Sequence, residues 1–142
     1  MAIRVGAVVL RNPQGDVLTV RKQGATLFQL PGGKPEGNET MRETVVREVG
    51  EEVGIVLDPK HLEYLGDYTA SAANEPGHDV SGAIYTYPSE LTEDIAPHSE
   101  IRELKWATPI PDSPGNAPLL ATRVFPELKR QERLRVGSQG VE

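Results

Sequence analysis

The stretch Asn38 to Gly54, NETMRETVVREVGEEVG, restricts the fold more than any other part of the chain. Met41, Val45, Val49 and Val53 recur every fourth residue, which lays an apolar stripe along one side of a helix. A helix with one apolar side must bury it, and runs of alternating apolar residues elsewhere in the chain supply a sheet to bury it on. Asn38 is the expected N-cap and Gly54 the expected residue just past the C-terminus.

The same helix ends in REVGEE, where Glu48, Glu51 and Glu52 fall within little more than one turn. Like charges at these spacings repel, and carboxylates at a helix C-terminus face the negative end of the macrodipole. At about 100° per residue, Glu48 and Glu52 lie beside the apolar stripe, where helix and sheet meet and a cleft can form. Hard oxygen ligands so placed suit Mg²⁺. Ahead of the helix, Gly32 and Gly33 let main chain approach closely, and Lys34 can meet phosphate oxygens as a point charge. A P-loop is excluded, because GxxxxGK[ST] would need glycine at Phe28 and Ser or Thr at Pro35.

Along the chain, IRVGAVVL and DVLTVRKQ read as a β-hairpin across RNPQG, and ATLFQLPGG as a short strand entering the glycine bend. HLEYLGDYTAS, VSGAIYTYP and EIRELKWAT alternate as strands, and residues 116–134 read as a second helix interrupted at Pro126. The order predicts an α/β fold with a mixed β-sheet between helices. At 142 residues the chain reads as a single domain over residues 1–135 with a flexible C-terminal tail, 136–142. It has no cysteine, so any metal is held by oxygen or imidazole, and His61, His78 and His98 show no ligand spacing. Net charge is −6, which argues against a nucleic acid polymer or an anionic membrane as partner. No signal peptide or membrane span is indicated, so a cytoplasmic location is expected.

From Gly33 to Ile55 the chain resembles the Nudix box, GX5EX7REUXEEXGU with U a bulky aliphatic residue. Gly33, Glu39, Arg47, Glu48, Val49, Glu51, Glu52, Gly54 and Ile55 fill every fixed position. The resemblance implies an α/β/α sandwich and Mg²⁺-dependent hydrolysis of a nucleoside diphosphate linked to another moiety, with Mn²⁺ as a substitute. It implies that Glu51 and Glu52 are the principal metal ligands, Glu48 a further ligand or general base, and the Gly32 carbonyl part of the shell. Glu39 and Arg47 are implied to be structural. One more carboxylate is expected from outside the box, Glu100 ahead of Glu103.

For substrate, Ser71, Ala72 and Ala73 stand where ADP-ribose-cleaving members carry proline and dinucleoside-polyphosphate types carry tyrosine. The region of Asn116 resembles the MutT branch, where an asparagine reads an oxidised guanine; helix capping is the alternative role for Asn116. Phe28 is the stacking candidate and Trp106 reads as core. The expected function is a nucleoside triphosphate pyrophosphohydrolase acting on a small nucleotide. An ADP-ribose or nucleotide-sugar pyrophosphatase is the alternative, and a nucleotide-sensing module without turnover is the reading from another class. Homodimerisation through a strand edge stays open.

Overall fold

A computed structural model describes residues 2–73, 75–91 and 95–139. Six strands, β1 (Ala2–Val9), β2 (Val17–Lys22), β3 (Gly32–Gly33), β4 (Glu63–Ser71), β5 (Asp79–Thr86) and β6 (Ile101–Ala107), accompany two helices, α1 (Met41–Val53) and α2 (Phe125–Gln139). The strands form a four-stranded sheet in the order β3-β1-β5-β4 and a two-stranded sheet, β2-β6. In the larger sheet β1 runs parallel to β5 while its other pairings are antiparallel, so it is mixed, as expected.

The expected β1–β2 hairpin is corrected. Only its turn end is zipped, by the Arg11–Val17 bridge, the Asn12 N–H donating to the Asp16 carbonyl and the Leu18 N–H donating to the Leu10 carbonyl, and away from the turn the two strands part into separate sheets. Each strand pairs along its length with a different neighbour: β1 with β5 and β2 with β6. The expected strand ATLFQLPGG is likewise reduced to isolated bridges at Phe28 and Gln29 and the two residues of β3.

Alternation along β1 builds two cores. Val8 and Leu10 pack with Val45, Val49 and Val53 of α1, whereas Ala7 and Val9 pack with Leu120, Val124, Phe125 and Leu128. A helix therefore covers each side of the sheet, and the period of two in a strand is the cause. Val45 and Val49 are fully buried, each contributing on the order of 1.5–3 kcal/mol of transfer free energy. Trp106 packs against the α1-side core, in keeping with its expected place.

The start of α1 differs from expectation by two residues. Thr40 is the N-cap: its hydroxyl accepts from the Glu43 N–H at 3.1 Å, and the Glu43 carboxylate accepts from the Thr40 N–H at 2.8 Å. This reciprocal pair satisfies two otherwise orphaned donors, which Asn38 could not do from outside the turn. At the other end Gly54 adopts φ 73° and donates to the Gly50 carbonyl at 3.1 Å. The second helix is preceded by a π-helical turn, Leu120–Val124, that runs directly into Phe125. The expected interruption falls on that turn and not at Pro126, which lies inside α2; α2 continues to Gln139, into the segment expected as tail, whose residues 140–142 lie outside the described residues.

The capping geometry predicts that Thr40→Ala lowers unfolding free energy by about 1 kcal/mol, whereas Asn38→Ala changes it by less than about 0.5 kcal/mol. Urea denaturation followed by circular dichroism measures both; equal losses would return the cap to Asn38.

Candidate functional site

A cleft of about 530 Å³ opens between β1, the glycine bend, the end of β2 and the π-helical turn. One end is polar, with Lys22, Lys34, Glu48 and Glu100 around Gly32 and Gly33. The other is aliphatic, with Ile3, Val5, Val80, Leu119 and Leu120.

The last turn of α1 brings Glu48 to the polar end and buries Glu52 against the glycine bend. Glu52 is only 2% exposed, and one oxygen, Oε1, accepts from the Gly32 N–H at 3.0 Å. Its other oxygen, Oε2, is buried without a hydrogen-bond partner. Burial pushes the Glu52 carboxyl up to about 8, against the opposing pull of the Lys22 charge and the Gly32 N–H. Glu48 sits against Gly33, where any side chain would collide with its carboxylate. Burial raises the Glu48 carboxyl too, opposed by the charges of Arg47 and Lys22.

The glycine bend is shaped by this close approach. Gly32 has φ 154°, and a Cβ there would strike the Gly6 carbonyl and Ala7. Without side chains at Gly32 and Gly33, main chain lies directly on the helix end.

Arg47 is the second organiser. It binds Glu39 at 2.7 Å, Glu48 at 3.2 Å, Glu51 at 3.1 Å and the Lys34 carbonyl at 3.0 Å, tying the loop after Gly33 to the helix. Its hydrogen bond holds the Glu39 carboxyl down at about 2. Glu51 stands apart from the cleft, half-exposed and turned toward Arg47. Gly54 lies under the His98 ring.

Of the two outside carboxylates, Glu100 lines the cleft and its Oε1 lies 3.7 Å from Lys22 Nζ. Glu103 instead pairs with Arg21 at 2.9 Å across the β2–β6 ladder. Lys34 lines the cleft, but Phe28 and Asn116 do not. Phe28 lies beneath the Lys105 ammonium, 5.5 Å from its ring centroid, and the Asn116 amide donates to the Ser113 hydroxyl at 2.8 Å. Nor does Asn116 cap a helix; it bridges Phe28, and its neighbour Ala117 faces the cleft.

Sequence reasoning missed Lys22 and Gln29, whereas Ser71, Ala72 and Ala73, singled out as substrate-marker positions, do line the cleft. Lys22 was findable: it continues the alternation of Leu18 and Val20, both in the α1-side core, so its parity aims it at the acidic helix end.

Divalent-cation chemistry fits these residues in part by direct observation. Glu52 Oε2 is a buried hard oxygen donor without a hydrogen-bond partner, its charge faced by the Lys22 ammonium at 4.0 Å. Among the described residues, however, no three of His, Asp and Glu are gathered as a ready-made cluster, and Glu51 is paired with Arg47. No helix among the described residues is long and apolar enough to cross a membrane.

Comparison with known proteins agrees with this architecture. A solved MutT protein from Methanosarcina mazei Go1 superposes with a TM-score of 0.71, covering 94% of this chain and 95% of that one at 22% identity, which shows the fold. An RNA pyrophosphohydrolase of Marinomonas sp. (strain MWYL1) is 39% identical over 59 residues, covering 42% of this chain and only 35% of that protein. A Bacillus subtilis (strain 168) protein described as "Putative 8-oxo-dGTP diphosphatase" is 30% identical over 126 residues, covering 87% of this chain and 73% of that protein. The family model described as NUDIX domain matches residues 1–111, spanning both the glycine bend and the acidic helix end, and so the chain belongs to the NUDIX domain family.

Proposed function

We propose that this chain is a divalent-cation-dependent pyrophosphohydrolase that cleaves a nucleoside triphosphate, ordinary or oxidised, to a nucleoside monophosphate and pyrophosphate. The carrying observation is the buried Glu52 carboxylate, fixed through Oε1 and unpartnered at Oε2, beside a cleft that is charged at one end and aliphatic at the other. The names of the B. subtilis and Marinomonas relatives, both acting on phosphate anhydrides, support the same class. In this reading the domain spans residues 1–135, works in the cytoplasm on a small molecule, and needs neither membrane nor nucleic acid polymer.

Glu48, Glu51 and Glu52, with the Gly32 carbonyl and Glu100, would hold Mg²⁺ or Mn²⁺. When bound, the cation supplies charge neutralisation of the diphosphate and acidifies the attacking water. The chain's own groups do the rest. Lys34 meets phosphate oxygens, the aliphatic end receives the nucleoside, and Arg47 with Glu39 keeps the loop on the helix. Glu48, its basicity raised by burial, accepts the proton as the water oxygen bonds to phosphorus and the bridging P–O bond breaks.

Ordinary and oxidised dNTPs, ADP-ribose, nucleotide sugars and diadenosine polyphosphates, each incubated with Mg²⁺ and resolved by chromatography, should give monophosphate and pyrophosphate from the triphosphates alone. Turnover of ADP-ribose instead would move the substrate, and binding without any turnover would make the protein a sensor.

Glu52→Gln keeps an acceptor for the Gly32 N–H while removing the charge. It should lower kcat at least about 100-fold yet leave the chelated protein as stable as before or more so. Near-wild-type turnover would remove Glu52 from the mechanism.

The pH dependence follows from the Glu52 carboxyl being raised from 4.5 to about 8 in the fold. Its contribution to cation-free stability is fully present below about pH 4.5 and is lost as pH rises through about 8. Scanning calorimetry in chelator should therefore show Tm falling from pH 6 to pH 9 by more than it does in Mg²⁺; parallel profiles would contradict the linkage.

A further inference from the structure

Lys22 ends β2 immediately after the register slip that separates it from Arg21. Its Nζ lies 4.0 Å from Glu52 Oε2 and 3.7 Å from Glu100 Oε1, too far for hydrogen bonds but within ion-pair reach of both. The carboxylate oxygen it faces on Glu52 is the one that is buried and unpartnered. The ends of β2 and β6 are locked beside it, because the Gln23 N–H donates to the Glu100 carbonyl at 2.8 Å. The ammonium therefore stands between one fully buried and one exposed carboxylate, at the mouth of the polar end of the cleft.

We propose that Lys22 is an internal counter-ion of the cation site, standing in for the divalent cation between Glu52 and Glu100 and setting how tightly that cation binds. The inference rests on the proposed function, since it takes these carboxylates as the receiving groups. A carboxylate buried without a compensating charge is costly, and an ammonium at this distance offsets part of that cost. An entering cation must share or displace Lys22, so its affinity is reduced by the interaction it replaces. A lysine suits this role: a compact charge on a flexible stem can withdraw without dismantling the cleft, whereas a rigid fork of donors would hold on. Lys22 is thus a positioning residue, acting on the reaction through the site it keeps assembled.

The test is calorimetric titration of the full chain with MgCl2, without nucleotide, for the wild type, Lys22→Met, Lys22→Gln and Lys22→Arg, with the Tm of each in chelator. Loss of the charge in Lys22→Met and Lys22→Gln should tighten Mg²⁺ about fivefold and lower the chelated Tm, and Lys22→Arg should bind no more tightly than wild type. Unchanged Mg²⁺ affinity in both neutral variants, with only KM for the nucleotide raised, would make Lys22 a phosphate contact and overturn the proposal while sparing the function. A wild type that binds no Mg²⁺ at all would overturn both.

Discussion

The hydrogen bond from the Gly32 N–H to Glu52 Oε1 joins the last turn of α1 to the shortest strand of the sheet, and several other features exist to permit it. A buried carboxylate at the negative end of a helix, with no basic residue in that last turn, is unfavourable on three counts: desolvation, dipole and neighbouring charge. One main-chain donor satisfies one oxygen. For that donor to arrive, β3 must lie against both β1 and α1, which requires Gly32 to lack a Cβ facing the Gly6 carbonyl and Gly33 to lack one facing Glu48. The two oxygens of Glu52 are thereby divided: one holds the fold together, and the other is buried without a protein hydrogen bond, 4.0 Å from the Lys22 ammonium.

Arg47 shows the opposite use of charge. Its guanidinium reaches Glu39, Glu48 and Glu51 as well as the Lys34 carbonyl, and the carboxyl it grips most closely, Glu39, is driven toward greater acidity. Glu48 and Glu52 move the other way because burial outweighs the cations near them. The acidic residues of one motif are thus sorted by environment: the Arg47 hydrogen bond draws Glu39 toward greater acidity, and burial draws Glu48 and Glu52 the other way.

The period of four along α1, the alternation along the strands and the glycine bend were legible in the sequence because local geometry imposes them. Partner choice was not. The parallel pairing of β1 with β5 and the departure of β2 to β6 depend on which strand edges meet in space, and a short turn such as RNPQG suggests a hairpin whether or not one persists. The N-cap slipped from Asn38 to Thr40 because both are good capping residues, and only the reciprocal bond to Glu43 separates them. In the site, the positions of Glu48 and Glu52 followed from helical angle, while Glu51 could not be placed without seeing Arg47 four residues back draw it away. Glu100 and Glu103 differ by less than a turn of strand in sequence, yet cross-strand pairing with Arg21 removes one of them from the cleft.

Substrate selection was the least legible part, and the cleft supplies the reason. Its far end is built from aliphatic side chains, and an apolar wall discriminates weakly, since a missing or added group changes binding by only about 1–3 kcal/mol. Strong discrimination needs polar groups that would be left unpaired by the wrong ligand. Phe28 and Asn116, expected to read a base, do not line this cleft; the Phe28 ring faces Lys105 and the Asn116 amide donates to Ser113. What remains at the wall is the Gln29 side chain, with Ser71 and Glu75 at the rim, all contributed by segments whose approach is set by long-range packing. In the proposed function, reaction class is encoded in one contiguous stretch because the residues assigned to the chemistry sit on a single helix and the bend before it. The rest of the cleft lining is assembled from β1, β5, the rim after β4 and the π-helical turn, and so it appears only when the chain is folded.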